Sequence, residues 1–264
     1  MATLSSLVIA LAWISALPES KVFAYGRFAR EAGLITQEGR GKYAANMSPR
    51  DAANLLIATC GTDVTREAPR AIRAFRPMKG TLMAFEDDIH LAFEQWLSPI
   101  GLRRESDGLH LQVDFGAFLE FLIWEAGTGR LVQLLIKLFG VSSREKLQSY
   151  DFSVYEYEFG VFEPVEVEVS FDRTEPGAVV AFTSNSEPLG LVHFSPAKFK
   201  TRRDLHVRAQ VSHYTLMVLA LFLKGRLVPG DLTSEKDLYR ILRRRETWER
   251  APAITSQRKG VQGE

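Results

Sequence analysis

The side chains best suited to chemistry at a small site lie late in the chain. His193, His206 and His213 fall in one region with Ser195, Asp204 and Ser212. A serine, an imidazole and a carboxylate are the parts of a nucleophilic triad, in which the imidazole takes the serine proton and the acid orients the ring. The local pattern argues against that chemistry. No Gly-x-Ser-x-Gly turn holds Ser195, and the histidine spacings match no zinc-ligand motif. His213 is expected on or beside a buried helix, satisfied by a hydrogen bond. Asp87-Asp88 has no other placed acids around it and suits a helix amino terminus better than a metal site. The expectation is therefore no catalytic centre, no metal and no cofactor.

A second group of residues suits a polyanion. Lys21, Tyr25, Arg27 and Arg30 lie between Pro18 and Ile35, a stretch punctuated as a helix at both ends. Pro18 fits a first helical turn, where its missing N–H costs nothing, and Gly33 fits the left-handed residue that stops a helix. Val22, Phe23, Phe28, Ala29 and Ala32 are expected to face inward, with Lys21, Tyr25, Arg27 and Arg30 spread over the rest of the cylinder. Directly afterwards Gly39-Arg40-Gly41-Lys42 alternates glycines with cations. Such a backbone can approach a phosphate chain while two charges neutralise it, although a solvated loop has the same composition.

Charge is distributed to match. The whole chain carries a net charge of +1. Through residue 80, eleven Lys and Arg stand against six Asp and Glu, while the remainder has 22 basic and 26 acidic residues. A basic amino-terminal part beside an acidic remainder fits a polyanionic partner for the first part alone, or an uneven surface with no partner.

The elements that must position these groups can be read in order. Thr3 to Ser15 has an apolar helical period with Thr3 or Ser5 as cap. The short Ser15-Ala16-Leu17 link and Pro18 turn the chain sharply into the next helix. Pro49 to Thr59 is a third helix capped by Ser48, and Thr65 to Arg76 a fourth, with Thr65 as cap and Arg66, Arg70, Arg73 and Arg76 forming a basic stripe. That stripe suits phosphates, a solvated face or acidic partners elsewhere in the chain. Pro77 to Thr81 is the expected domain boundary.

Beyond it the expectation is a helix over Phe85 to Leu97, a strand over Leu109 to Phe115 and an aromatic-rich core segment over Gly116 to Ala126. Leu131 to Phe139 reads equally as strand or helix. From Phe152 to Phe194 the period becomes two, with Val165, Val167 and Val169 alternating with Glu166, Glu168 and Ser170, which predicts an antiparallel sheet. The acids Glu156, Glu158, Glu163, Glu166, Glu168 and Asp172 make its outer face negative. Lys198, Lys200, Arg202, Arg203 and Arg208 follow as a basic cluster, then expected helices over Gln210 to Lys224 and Ser234 to Arg245. The predicted fold class is α+β: a helical amino-terminal domain over 1–78, a mixed domain with antiparallel sheet and flanking helices over 79–250, and a flexible tail over 251–264.

The single cysteine, Cys60, cannot form an internal disulfide, which favours a reducing, cytoplasmic setting. Ser5 to Leu17 has no basic residue before it and reads as a buried helix rather than a secretion signal. No run of about 18 apolar residues is present, so no membrane partner is expected.

The sharp link, the helix ending in Glu31-Ala32-Gly33-Leu34 and the Arg40/Lys42 loop together resemble a winged helix-turn-helix DNA-binding domain over roughly the first 60 residues. Such domains usually carry another helix before the pair, and here Pro49 to Thr59 is expected to supply that support. The resemblance implies double-stranded DNA as partner. Lys21, Tyr25, Arg27 and Arg30 would enter the major groove, and Arg40 and Lys42 would lie on phosphate or in the minor groove. It implies a transcriptional regulator of bacterial or phage type, with a homo-oligomer, another macromolecule or a ligand engaged by the second domain. A small-terminase-like DNA-packaging component and a protein-interaction module without DNA binding are the alternatives. If Arg40 and Lys42 contact phosphates, replacing both by Ala lowers the slope of log affinity against log salt by about two, measurable by titrating duplex DNA across a salt series.

Overall fold

Thr3 and Ser6 open the first helix by exchanging side-chain to backbone hydrogen bonds, a capping box that satisfies two donors otherwise left over. In the computed structural model, residues 2–37, 46–84, 87–105, 108–142, 165–174, 176–184, 187–196 and 208–225 are described. Helix α1 (Leu4–Ser15) stops at Ala16, whose φ of 52° is left-handed, and Pro18 precedes α2 (Glu19–Glu31). Gly33, with φ of 71°, ends that helix as the sequence predicts. Ser48 and Asp51 form a second capping box at the start of α3 (Pro49–Gly61). A 3-10 turn over Thr65–Glu67 leads into α4 (Ala68–Phe75). Thr65 is thus the first residue of the turn, and Val64 holds the cap position without a side-chain bond.

After α4 come β1 (Lys79–Ala84), α5 (Asp87–Leu97), β2 (Leu102–Glu105), β3 (Gly108–Asp114), α6 (Phe115–Thr128) and α7 (Arg130–Ser142). Then follow β4 (Val165–Asp172), β5 (Gly177–Ser184), β6 (Glu187–Ser195), β7 (Arg208–Ser212) and α8 (His213–Leu223). The described strands form one seven-stranded antiparallel sheet in the order β2-β3-β1-β6-β5-β4-β7. The mixed α+β class with an antiparallel sheet and flanking helices is therefore as expected.

One face of this sheet is the floor of the core. Register places Phe171, Ala178, Phe194 and Gly80 side by side, and Val169, Val180, Val192 and Leu82 in the next row. All the side chains in these rows are buried. Phe115, at the start of α6, lies over this floor with its ring 5.5 Å from Phe171 and 4.9 Å from Phe194. Two glycines make room for aromatics. A Cβ at Gly80 would lie 2.5 Å from Phe194 Cε1, and one at Gly190 would lie 2.6 Å from Phe93 Cε2.

Above the floor α3 is buried from Asp51 to Gly61. It packs against α2 and α4 on one side and α6 on the other, while α1 packs against α2 and α8. The buried residues on the two sides of position 78 belong to one continuous core. Across the expected boundary, Met78 O accepts from Phe115 N at 2.9 Å and Arg76 O from Gly116 N at 3.0 Å.

Two segments depart from the periodicity reading. Gln210 to Lys224 is not one helix, because Arg208 to Ser212 pair with β4 as an edge strand and the helix begins at His213. Its apolar run starts at Val211, before the helix does, so composition alone hides the junction. Leu131 to Phe139, undecided from sequence, belongs to α7. Ser234 to Arg245, the 251–264 tail and Lys198, Lys200, Arg202 and Arg203 lie outside the described residues.

Replacing Gly190 by Ala forces a methyl into the Phe93 ring and towards Met83 O. The expected cost is about 1–3 kcal/mol of stability, read from urea unfolding.

Candidate nucleic-acid interface

Helix α2 is held between two neighbours. Val22, Tyr25, Gly26 and Ala29 turn inward at spacings of three and four. A Cβ at Gly26 would meet Leu4 of α1 at 3.4 Å and Leu55 of α3 at 3.6 Å, so the glycine sets a close approach of all three helices. Support for the α1–α2 pair thus comes from α3, as expected, and from α8 behind α1.

Helical phase corrects one of the proposed DNA contacts. Tyr25 is only 1% exposed, and its hydroxyl donates to Thr62 O at 2.7 Å beyond the end of α3. Burial raises its pKa. Its polar tip suggests an outward position, but Tyr25 shares a face with Val22 and Ala29. The aromatic that faces water is Phe23, expected inside and 46% exposed.

The outward ridge of α2 therefore consists of Ser20, Phe23, Arg27 and Glu31. Arg27 is exposed, reaches Glu31 at 3.6 Å and lies 4.7 Å from the centre of the Phe28 ring. Arg30 and Lys21, both half-buried, flank the ridge. Neither has an ion-pair partner among the described residues.

Arg40 and Lys42 lie outside the described residues, but both ends of their segment are fixed. Thr36 donates through N and Oγ1 to Asp51 Oδ1 at 2.8 and 3.0 Å. Ser48 donates through N and Oγ to Oδ2 of the same carboxylate at 2.8 and 2.7 Å. Asp51 is 2% exposed, so one buried acid ties the exit of α2 to the entry of α3. Met47 N adds a bond to Ala2 O at 2.8 Å.

The basic stripe on α4 is shorter than its sequence suggests. Arg66, Arg70 and Arg73 are exposed, with Arg70 near Glu67. Arg76 turns into the protein instead, where Nη1 donates to Asn54 Oδ1 at 2.6 Å and Nη2 pairs with Glu120. Asn54 in turn donates to Leu34 O. Gly116 admits the guanidinium, since a Cβ there would lie 2.6 Å from Arg76 Cζ.

Two supporting groups carried no sequence signal. Arg173, in the turn after β4, donates to Cys60 O at 2.6 Å and pairs with Asp63 at 2.6 Å, placing a cation at the carboxyl end of α3. Cys60 itself is buried, and that burial pushes its thiol pKa up to about 11. Glu125 is buried and accepts from Trp96 Nε1 at 3.0 Å and Arg130 Nη2 at 2.5 Å; its pKa is raised by burial. Helices α3 and α6 also leave an open cleft of about 340 Å³, lined by Ser48, Pro49, Arg50, Glu120, Phe121 and Trp124.

The serine, histidine and acid set does not converge among the described residues. His193 is exposed and Ser195 half-buried on β6, whereas His213 is in the core after β7, three strand spacings away or about 14 Å. His206 and Asp204 lie outside the described residues. His213 Nδ1 accepts from Val167 N at 3.4 Å, the hydrogen bond expected of a buried histidine. Among the described residues no group of three His, Cys, Asp or Glu could hold a metal ion, and no helix is long and apolar enough to cross a membrane. No protein-family model matches the chain, and neither curated proteins nor solved structures include one that matches it.

Burial lowers the His213 pKa from 6.5 to about 4. The unfolded chain takes up this proton below pH 6.5 while the folded protein resists it until about pH 4. Stability therefore falls as pH drops through that window, by about 3 kcal/mol from this group. Urea unfolding from pH 7 to 4 should show a smaller fall for His213→Gln than for the parent protein.

Proposed function

We propose that this protein binds double-stranded DNA through the outward ridge of α2 and acts as a regulator of transcription. The observation that carries the reading is the placement of α2. It follows α1 after a three-residue turn, is locked on its inner side by Leu4 and Leu55, and turns Arg27 outward with Lys21 and Arg30 at its flanks. A helix supported in this way fits the major groove, about 12 Å wide, without having to order itself on binding.

The roles divide by position. Arg27, central on the ridge, is placed to reach base edges, for which it must leave its exposed pairing with Glu31. That exchange is cheap because exposed ion pairs contribute little. Lys21 and Arg30 serve phosphates. Arg40 and Lys42 belong to a segment whose ends meet at Asp51, which keeps it beside α2 without fixing its course. Tyr25 has no part in contact; it holds α2 to the end of α3.

Fluorescence anisotropy with random-sequence and genomic duplexes tests this. Replacing Lys21, Arg27 and Arg30 by Ala should weaken binding at moderate salt. The slope of log affinity against log salt should flatten by about one for each phosphate that these cations neutralise. Tyr25→Phe should retain affinity while losing about 1 kcal/mol of stability with the Thr62 hydrogen bond. Absence of salt-sensitive binding by the parent protein would refute DNA recognition and leave the helix pair as a protein-docking surface.

A further inference from the structure

We propose that the uncovered face of the sheet is where two copies of this chain meet, face to face about a twofold axis running along the strands. Opposite the core floor, register aligns a second set of side chains. Arg103, His110, Thr81, His193, Val179, Ser170 and Gln210 form one row across all seven strands. Met83, Leu191, Ala181 and Glu168 form the next. These residues are exposed or half-exposed, and Met83 is 52% exposed. The middle of the face is thus an apolar strip of Met83, Leu191, Ala181 and Val179, bounded by polar flanks.

The flanks differ in charge. On one side β1 contributes Lys79, which has no ion-pair partner among the described residues, beside His110 and His193. On the other, β4 places Glu166, Glu168 and Asp172 at alternate positions. Arg208 is aligned with Asp172. Glu166 and Glu168 have no cationic partner among the described residues, and Glu168 accepts only from Ser170 and Gln210.

A face with an apolar centre and opposite flanks is complementary to its own copy. The strand order places β1 next to β6 and β4 next to β5. A twofold axis along the strands, over the β5–β6 pair, lays β1 of each copy across β4 of the other. Lys79 then approaches the partner's acidic strand twice, while the Leu191 and Ala181 regions pack together. Two twisted sheets pack this way at about 30°, and an isologous contact closes as a dimer without leaving a repeating edge. The charged flanks select this arrangement over one that superimposes like charges.

Sedimentation velocity on the full chain, over a range of concentration and salt, tests the proposal. The parent protein should be a dimer that weakens as salt rises. Lys79→Glu alone, and Glu166→Lys with Glu168→Lys, should each raise the dimer dissociation constant by about tenfold or more. Combining all three should restore dimerisation, which a general folding defect would not do. All three positions are exposed or half-exposed, so circular dichroism and the melting temperature should stay near the parent values. A monomer at every concentration would overturn the proposal, with a segment of the chain itself or another protein then covering the face. So would a dimer indifferent to both charge reversals.

Discussion

Arg76 links three parts of the structure that are far apart in sequence. Its guanidinium reaches Asn54 in the middle of α3 and Glu120 on α6, and Asn54 passes the connection to Leu34 after α2. Enclosed charges of this kind add little stability over a well-packed apolar group, because desolvation offsets their attraction. They do add direction. An Arg76 without Glu120 would leave a guanidinium enclosed with only an amide to meet it, so the helices have one favourable arrangement. Gly116 is part of the same constraint, since any side chain there would occupy the space of the guanidinium.

Around this link α3 is fastened at each end. Asp51 binds its own cap and Thr36 at the amino end, and Arg173 meets Cys60 O at the carboxyl end. The helix is therefore fixed against both α2 and the sheet. Positions on α2 inherit that rigidity through Gly26 and Tyr25. A recognition surface gains from this, because a helix already immobile loses little entropy when it meets its partner.

The sheet divides the same way between one specified face and one open face. The core rows are filled by valines and phenylalanines, with glycine only where an aromatic ring needs the space. On the other face, acids and cations are segregated to separate strands instead of being interspersed. Segregation of charge on a strip with an apolar centre gives that face a preferred partner and orientation. Two surfaces with different chemistry thus belong to one fold: the ridge on α2 and the open side of the sheet.

Local signals determined much of this in advance. Caps at Thr3 and Ser48, the stop at Gly33 and the alternation at Val165 to Val169 depend on neighbouring residues, and each appears where the sequence places it. The α+β class follows from the change of period between those regions. Tertiary structure decided what local patterns leave open. Tyr25 and Arg76 carry polar ends on long side chains, so either can face water or reach inward to an acceptor, and only the positions of Thr62, Asn54 and Glu120 settle which. The same holds for Gln210 to Ser212, which become a strand because β4 offers an edge to pair with. Sequence thus determined where elements start, stop and alternate, whereas long-range partners decided which polar groups were buried and which surfaces remained for binding.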